Sequence, residues 1–387
     1  MKPPTVTLLV HGGPRSIEAI RAAGLSRRLP AASVRTLFHE GSRLATARRW
    51  HADLRAHRPD LLYVLNTALP GALLAAWWSR IHRLPYLLDT GDVILEMARR
   101  SGIGAGWRLP ILAFTERTAW RNAAGIVVRG TRHREYLGQR GLNATLIRDG
   151  YAEQQDVPPD AVASLRRRHG LEGRFVVGLM GSLVFSPRLG ICYGWDLVRA
   201  LPRLADLPVT AVVIGDGNGR EWLEAEARRL GVSDRLVFTG RIPYAEVPTY
   251  LRLFDVALST QTNNLPGQVR TTGKVPEYMA AGRFVLASRV GEAELLLPPE
   301  MLVDYAGEVD AAYPDRLAAR IRELVVDPTR LVLRERLPGV AATQCSYDVL
   351  SRQWLELVTA TVAAYRRGRS VPDPSHDHEF HGNDHAE

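Results

Sequence analysis

The chain has 387 residues, of which 46% are hydrophobic and 24% are charged. This length predicts two domains at roughly 150 residues each, and the composition excludes wholesale disorder. The longest strongly apolar stretch, Ala68–Trp78, is far shorter than the ~20 residues that a membrane-spanning helix needs. Two cysteines without a CxxC pair exclude a disulfide framework and a cysteine-rich zinc site, so we expect a reduced, cytoplasmic protein.

The formal net charge is +9, and the basic residues are arginines except for Lys2 and Lys274. Arginines are spread through the chain among acidic residues, a distribution that argues against a nucleic-acid groove and is compatible with attraction to anionic lipid. We predict peripheral contact with the inner face of a membrane through Leu73–Arg83, which holds Trp77 and Trp78. The alternative is that this segment packs its tryptophans inward. Because the chain otherwise uses arginine as its cation, Lys274 is a candidate functional residue.

Short apolar runs alternate with helical patterns along the whole chain, which predicts parallel sheets covered by helices on both faces. The pattern occurs twice, so the fold class is α/β, with two doubly wound, Rossmann-like domains facing a cleft. The predicted strands are Thr5–Val10, Val34–Phe38, Leu61–Leu65, Tyr86–Asp89, Ile126–Arg129, Thr145–Ile147, Phe175–Met180, Val209–Ile214, Leu236–Thr239, Val256–Ser259, Phe284–Ala287 and Leu302–Asp304. The clearest predicted helices are Ala68–Ile81, Leu109–Arg121, Glu221–Leu230 and Tyr347–Tyr365.

A polar, proline-bearing break near residues 156–173 divides the two series of strands. We predict an N-terminal domain over residues 1–165 and a C-terminal domain over residues 166–345. A helix over residues 346–368 is expected to pack back toward the first domain. Residues 369–387 hold four of the 11 histidines among acidic residues, proline and glycine, and are predicted to be a disordered tail.

Each predicted domain opens with a strand that runs into small residues: His11, Gly12 and Gly13 in the first, Gly181 and Ser182 in the second. In an open parallel sheet, ligands bind beyond the carboxyl ends of the strands, where helix N-termini present N–H groups to anions. Glycine lets the backbone approach such a ligand closely. The same pattern also fits a simple tight turn, so it becomes informative only with a further motif.

That further motif is the segment from Thr271 to Gly282, which contains Lys274 and Glu277. A cation at a helix N-terminus is disfavoured unless an anion binds there. We therefore predict that Lys274 meets a phosphate and that Glu277, one turn on, accepts hydrogen bonds from a vicinal diol such as ribose. The alternative is an exposed Lys–Glu pair at i, i+3, worth a few tenths of a kcal/mol.

The run Gly273-Lys274-Val275-Pro276-Glu277-Tyr278-Met279-Ala280-Ala281-Gly282 resembles the donor-binding signature of family 4 retaining glycosyltransferases of the GT-B fold, the group 1 glycosyl transferases. The resemblance continues through Phe284–Ser288 and covers most of residues 5–365. It implies transfer of a sugar from a nucleotide-diphosphate sugar to a glycan, glycolipid or similar acceptor with retention of anomeric configuration, as in polysaccharide or glycoconjugate biosynthesis. The acceptor would bind the N-terminal domain and the nucleotide the C-terminal one.

The resemblance also implies roles for individual residues. Glu277 would hold the ribose, Lys274 and Arg188 the diphosphate, and Arg241 with Ile242 would lie beside the base. The remaining donor-binding residues would be Gly12, Gly13, Gly181, Ser182 and Val275. Enzymes of this type usually supply the cations themselves, so we expect no metal and no cofactor beyond the nucleotide sugar, and no nucleic-acid partner.

Three features depart from the family pattern. Val269 stands eight positions before Glu277, where the family has a second glutamate. The cation pair usual after the first C-domain strand is reduced to Arg188, and the usual N-domain histidine is absent. We therefore take Asp92 or His11 as the catalytic candidate. Two alternatives stay open: a nucleotide-sugar epimerase on the same scaffold, and a catalytically degenerate protein that binds nucleotides.

Overall fold

The computed structural model describes residues 3–102, 106–153 and 157–368. The chain forms two compact units, and neither is a single stretch of sequence. The first contains residues 1–91, 111–147 and 350–387, and the second contains residues 92–110 and 148–349. The predicted break at 165/166 falls inside a helix of the second unit, Pro159–Arg168. The predicted tail, residues 369–387, lies outside the described residues.

The first unit is built on a six-stranded sheet with the order β2-β1-β3-β4-β5-β6, in which all pairs are parallel. Its strands are β1 (Val6–Val10), β2 (Val34–Phe38), β3 (Leu61–Leu65), β4 (Tyr86–Thr90), β5 (Gly125–Val128) and β6 (Ala144–Leu146). The intervening helices are α1 (Ile17–Ser26), α2 (Arg43–Ala56), α3 (Gly71–His82), α4 (Ile94–Ser101), α5 (Arg108–Asn122) and α6 (Thr131–Gly138). Helix α4 belongs to the second unit by its contacts.

The second unit repeats the design with a parallel sheet of order β11-β10-β7-β12-β13-β14 and a separate two-stranded hairpin, β8-β9. The strands are β7 (Phe175–Met180), β8 (Phe185–Ser186), β9 (Ile191–Cys192), β10 (Val209–Ile214), β11 (Leu236–Gly240), β12 (Val256–Ser259), β13 (Phe284–Ser288) and β14 (Leu302–Val303). The helices are α7 (Pro159–Arg168), α8 (Trp195–Ala200), α9 (Arg220–Arg229), α10 (Val247–Leu251), α11 (Leu265–Val269), α12 (Lys274–Ala280), α13 (Glu292–Leu296), α14 (Tyr313–Val326), α15 (Leu337–Gln344) and α16 (Tyr347–Arg366).

The predicted fold class is confirmed: both sheets are parallel and covered by helices, and the twelve predicted strands match the twelve sheet strands to within a residue or so. Central strands such as β3 and β10 are buried along their whole length, which explains their continuous apolar sequences. The two-residue strands of the β8-β9 hairpin were not predicted, because they are too short to produce a periodic pattern.

The last helix, α16, returns to the first unit from Leu350 onward. Trp354 is fully buried and packs edge-on against Tyr63 of β3, with the ring centroids 5.5 Å apart. The Arg28 guanidinium also donates to the Ser351 hydroxyl at 2.9 Å. The first unit therefore takes part of its core from the end of the chain.

The exposure of α3 bears on the predicted membrane contact. Trp78 is buried against the first unit's core, whereas Trp77 and Ile81 are exposed by 44% and 62%. No helix among residues 3–102, 106–153 and 157–368 is long and apolar enough to cross a membrane. Peripheral contact through the exposed side of α3 stays a prediction.

Asp89, near the end of β4, is a fully buried carboxylate of the first unit. Its carboxylate accepts from Arg21 Nε at 2.8 Å, Arg129 Nε at 3.0 Å and the Tyr63 hydroxyl at 2.6 Å. Burial opposes ionisation, but the two guanidinium groups outweigh it and lower the pKa of Asp89. The network ties β3, β4, α1 and the residue after β5 together.

We expect Asp89→Ala to lower the free energy of unfolding by ~3–5 kcal/mol, because it leaves buried guanidinium groups without their counter-ion. Equilibrium unfolding in urea measures the loss. The matched control is Asp304→Ala, which removes a carboxylate that pairs with Arg289 at 2.7 Å but is 76% exposed. The control should change stability by less than ~1 kcal/mol. Equal effects of the two substitutions would contradict the structural role of the Asp89 network.

Candidate functional site

The candidate site lies at the carboxyl ends of the second unit's strands. The chain order changes direction between β7 and β12, which are neighbours in the sheet. Open α/β sheets bind ligands in the crevice at such a switch point. Here β7 runs into Gly181, and β12 ends at Ser259, whose hydroxyl lies 3.5 Å from that of Thr272. The segment from Thr272 into α12 thus reaches the predicted ligand position.

Helix α12 presents the predicted pair of ionisable residues. Its N-cap is Gly273, which has no side chain to cap the helix. Pro276 is tolerated in the first turn, and the chain leaves the helix at Gly282, where φ is +63°. Lys274 is the first helical residue and Glu277 lies one turn on. In the described part of the chain the two side chains form no ion pair with each other, and Glu277 is only 4% exposed. The alternative of an exposed surface pair is therefore wrong.

The Lys274 ammonium lies against the glycine loop that follows β7. Its Nζ is 3.7 Å from the centroid of the Tyr193 ring, and a Cβ at Gly181 would lie 3.0 Å from Nζ. Burial, together with the positive charge of Arg270, lowers the pKa of Lys274 to about 7. The predicted partners Gly181 and Lys274 are thus brought together.

Glu277 is held by two hydrogen bonds on one oxygen. Its Oε1 accepts from the backbone N–H of Ala152 at 3.0 Å and from the Tyr244 hydroxyl at 2.6 Å. Burial outweighs these donors and raises the pKa of Glu277 to about 7. Its Oε2 is buried and has no hydrogen-bond partner among the described residues. A buried carboxylate oxygen without a donor is costly, so it marks a place where a ligand hydroxyl would bind favourably.

The glycines around Gly181 permit backbone packing that side chains would prevent. A Cβ at Gly215 would lie 2.0 Å from the Gly181 carbonyl oxygen, and one at Gly217 would lie 2.2 Å from the Leu183 carbonyl oxygen. The loops after β7 and β10 are also joined by the bond from Leu183 N to the Asp216 carbonyl at 3.1 Å. The loop beside Lys274 is therefore fixed by backbone contacts.

The other predicted donor-binding residues of this unit take different positions. Ser182 is exposed next to Gly181, whereas Val275 is buried in the core on the first turn of α12. Arg241 is exposed just after β11, and Ile242 is partly buried and packs against the core. The structure thus makes Val275 a packing residue and leaves Ser182 and Arg241 at the surface of the unit.

Arg188 lies on the exposed turn of the β8-β9 hairpin. Its guanidinium donates to the Arg99 carbonyl at 2.6 Å, and its backbone N–H donates to the Ser101 carbonyl at 3.4 Å. These carbonyls end helix α4, where a cation is favoured by the helix dipole. The structure therefore gives Arg188 a helix-capping contact and does not place it on the Tyr193 ring with Lys274.

Arg270 is the cation that sequence reasoning missed. It precedes α12, its charge lowers the pKa of Lys274, and its Nε lies 3.2 Å from Asp92 Oδ1. Asp92 itself belongs to the second unit. Tyr244, which holds Glu277, was also missed. The hydrogen bond from Tyr244 to Glu277 joins residues 33 positions apart, so no local pattern indicates it.

The first unit carries the other catalytic candidate, His11, directly after β1. Its ring packs against His39 and Trp50, with centroid distances of 6.4 and 6.2 Å. Burial lowers the pKa of His11 to about 4, so the imidazole is neutral at pH 7. Its Nε2 is buried and has no hydrogen-bond partner in the residues that the structure describes. Because Nδ1 donates to the Ala68 backbone, Nε2 of the neutral ring can only accept a hydrogen bond.

Gly12 and Gly13 form the turn between His11 and α1. A Cβ at Gly12 would lie 2.2 Å from the Ser16 side chain, so the turn requires glycine there. The Gly13 carbonyl accepts from Ser16 N at 2.9 Å, and the Ser16 hydroxyl caps α1 through Ala19 N at 3.1 Å.

Within the described residues, no group of three or more His, Cys, Asp and Glu side chains could hold a metal ion.

Comparisons with known proteins agree with this architecture. A family described as "Glycosyl transferase 4-like domain" matches residues 5–148, and one described as "Glycosyl transferases group 1" matches residues 174–327. The 2-deoxystreptamine glucosyltransferase of Streptomyces kanamyceticus is 30% identical over 308 residues, which are 76% of this chain and 73% of that protein. The GDP-mannose-dependent alpha-(1-6)-phosphatidylinositol monomannoside mannosyltransferase of Mycolicibacterium smegmatis is 34% identical over 270 residues, 67% of this chain and 66% of the relative.

Solved structures share the fold. Anabaena HepE in complex with UDP-glucose matches 92% of this chain and 99% of its own with a TM-score of 0.72 and 18% identity. Sucrose-phosphate synthase from Thermosynechococcus elongatus matches 93% of this chain and 100% of its own, with a TM-score of 0.72 and 17% identity. The chain belongs to the group 1 glycosyltransferases of the GT-B type. It is a glycosyltransferase, and the resemblance seen in the sequence is confirmed.

We expect Gly181→Ala to weaken nucleoside-diphosphate binding by about one to two decades, because the new Cβ would displace the Lys274 ammonium and the Tyr193 ring. Isothermal titration calorimetry with UDP, GDP and ADP measures the affinity. Gly339→Ala is the control, since a Cβ there meets nothing within 4 Å. Unchanged affinity in a folded Gly181→Ala protein would show that this loop does not border the nucleotide.

Proposed function

We propose that this glycosyltransferase uses a nucleoside-diphosphate sugar as donor and transfers the sugar with retention of anomeric configuration. The observation that carries the proposal is the pair of ionisable groups on α12, of which Glu277 is buried and Lys274 partly buried. Glu277 keeps one carboxylate oxygen without a hydrogen-bond donor, and Lys274 places an ammonium beside a glycine loop one turn away. A nucleoside diphosphate carries both complementary groups, a ribose diol and a diphosphate.

The ribose is assigned to Glu277. Its Oε1 is already occupied by Ala152 N and the Tyr244 hydroxyl, so Oε2 is the atom that accepts from a ligand. Hydroxyl donors on Oε2 would favour the charged form and bring the pKa of Glu277 down from about 7. Binding of a diol and ionisation of Glu277 would thus support each other.

The diphosphate is assigned to Lys274. An anion beside the ammonium would raise its pKa from about 7 and relieve the cost of a cation at a helix N-terminus. During transfer, negative charge grows on the departing nucleoside diphosphate, and a cation fixed in advance at that place stabilises the transition state. Arg270 adds a second positive charge near the same ammonium.

The relatives support a nucleotide donor and a polyhydroxylic acceptor. One relative is named as a GDP-mannose-dependent mannosyltransferase that acts on a phosphatidylinositol monomannoside, and another as a glucosyltransferase that acts on 2-deoxystreptamine. HepE was crystallised with UDP and with UDP-glucose. For this chain we propose a glycan, glycolipid or similar acceptor bound by the first unit, with His11 or Asp92 assisting its hydroxyl.

Substitutions on α12 test the donor assignment. Lys274→Ala should weaken binding of the nucleoside diphosphate by about one to two decades, since it removes a charge-assisted hydrogen bond worth ~1.5–3 kcal/mol. Lys274→Arg should rescue only partly, because the planar fork does not match a compact ammonium. Glu277→Gln should weaken ribonucleotide binding but leave the affinity for the 2′,3′-dideoxy analogue unchanged. Calorimetry with matched pairs of nucleotides measures both effects.

The control for these variants is Glu323→Gln, which alters an exposed carboxylate on α14 paired with Arg330 at 3.3 Å. It should leave nucleotide affinity unchanged. Wild-type affinity in both Lys274→Ala and Glu277→Gln would end the donor assignment.

The stereochemistry of transfer is tested separately. We expect proton NMR of the first product to show the same anomeric configuration as the sugar in the donor, before any mutarotation. An inverted product would contradict the retaining mechanism.

Conversion of the nucleotide sugar to an epimer without any acceptor would favour the epimerase alternative. Tight nucleotide binding with neither transfer nor donor hydrolysis would instead indicate a degenerate binding protein.

A further inference from the structure

The Lys274 ammonium is in contact with a side chain outside α12, the ring of Tyr193. This residue lies between β9 and α8, next to Gly194, whose φ is +95° and whose Cβ would lie 3.1 Å from Leu179 Cδ2. The turn therefore requires glycine and fixes where the Tyr193 ring stands. The Tyr193 hydroxyl donates to the Leu258 carbonyl of β12 at 3.4 Å, which fixes the far end of the ring.

The ring face of Tyr193 carries the Lys274 ammonium, with Nζ 3.7 Å from the ring centroid. A cation at this distance is attracted by the ring, and the attraction is larger when water is excluded. The same ring comes close to Gly181, since a Cβ there would lie 3.2 Å from Tyr193 Cε1. Ring, ammonium and glycine loop thus form one packed group.

We propose that Tyr193 is a positioning residue that holds the Lys274 ammonium against Gly181 for the donor's diphosphate. This inference rests on the proposed function, because it needs Lys274 to be the diphosphate cation. The ring face of Tyr193 fixes the place of the ammonium beside the glycine loop.

Two substitutions of Tyr193 separate the ring from the hydroxyl. Tyr193→Leu removes the ring and should weaken binding of the nucleoside diphosphate by about threefold to thirtyfold. Tyr193→Phe keeps the ring and loses only the bond to the Leu258 carbonyl, so it should bind nearly as the wild type does. Equal losses in the two variants would contradict the role of the ring.

A double-mutant cycle distinguishes this inference from the proposed function. In a Lys274→Met background, Tyr193→Leu should have no further effect on affinity, because the group that the ring holds is gone. If Lys274→Met alone leaves UDP, GDP and ADP binding unchanged, the proposed function fails. If Lys274→Met weakens binding but Tyr193→Leu acts equally with and without it, only the positioning role is overturned.

Discussion

Two ionisable side chains one turn apart on α12, the buried Glu277 and the partly buried Lys274, do not pair with each other, and the site depends on this arrangement. Lys274 rests on the Tyr193 ring, and Glu277 is held by Tyr244 and the Ala152 backbone. Burial pushes the pKa of each toward about 7, so each group is nearly as stable neutral as charged. The charged form of such a group carries a desolvation cost. A complementary ligand relieves this cost, and the relief favours binding.

Keeping unpaired charges in place requires a rigid surround, and the backbone provides it. Gly181 and Gly215 let two loops touch through their main chains, at the point where the sheet order changes direction. Side chains there would separate the loops and fill the space beside the ammonium. The site is therefore positioned by the ends of buried strands, which are the least deformable parts of the unit.

The sequence was sufficient for the strands and for the α12 motif, because both are local patterns: continuous apolar runs, and a lysine placed where a helix begins. It was insufficient for Tyr193 and Tyr244, whose contacts with Lys274 and Glu277 join residues far apart along the chain. Arg188 shows the same limit. The family resemblance implied that it is a phosphate cation, whereas in the structure its guanidinium donates to the Arg99 carbonyl at the end of α4, a contact that no sequence pattern indicates.

The division of the chain between the units has a consequence for engineering. Residues 92–110 belong to the second unit, while α16 from Leu350 onward completes the core of the first through Trp354. A cut at residue 148, where the first family match ends, would leave the first unit without that helix and would remove α4 from the second. Chimeras that exchange the first unit among relatives should therefore transplant the terminal helix together with residues 1–91 and 111–147, and recombination at single crossover points should yield poorly folded hybrids.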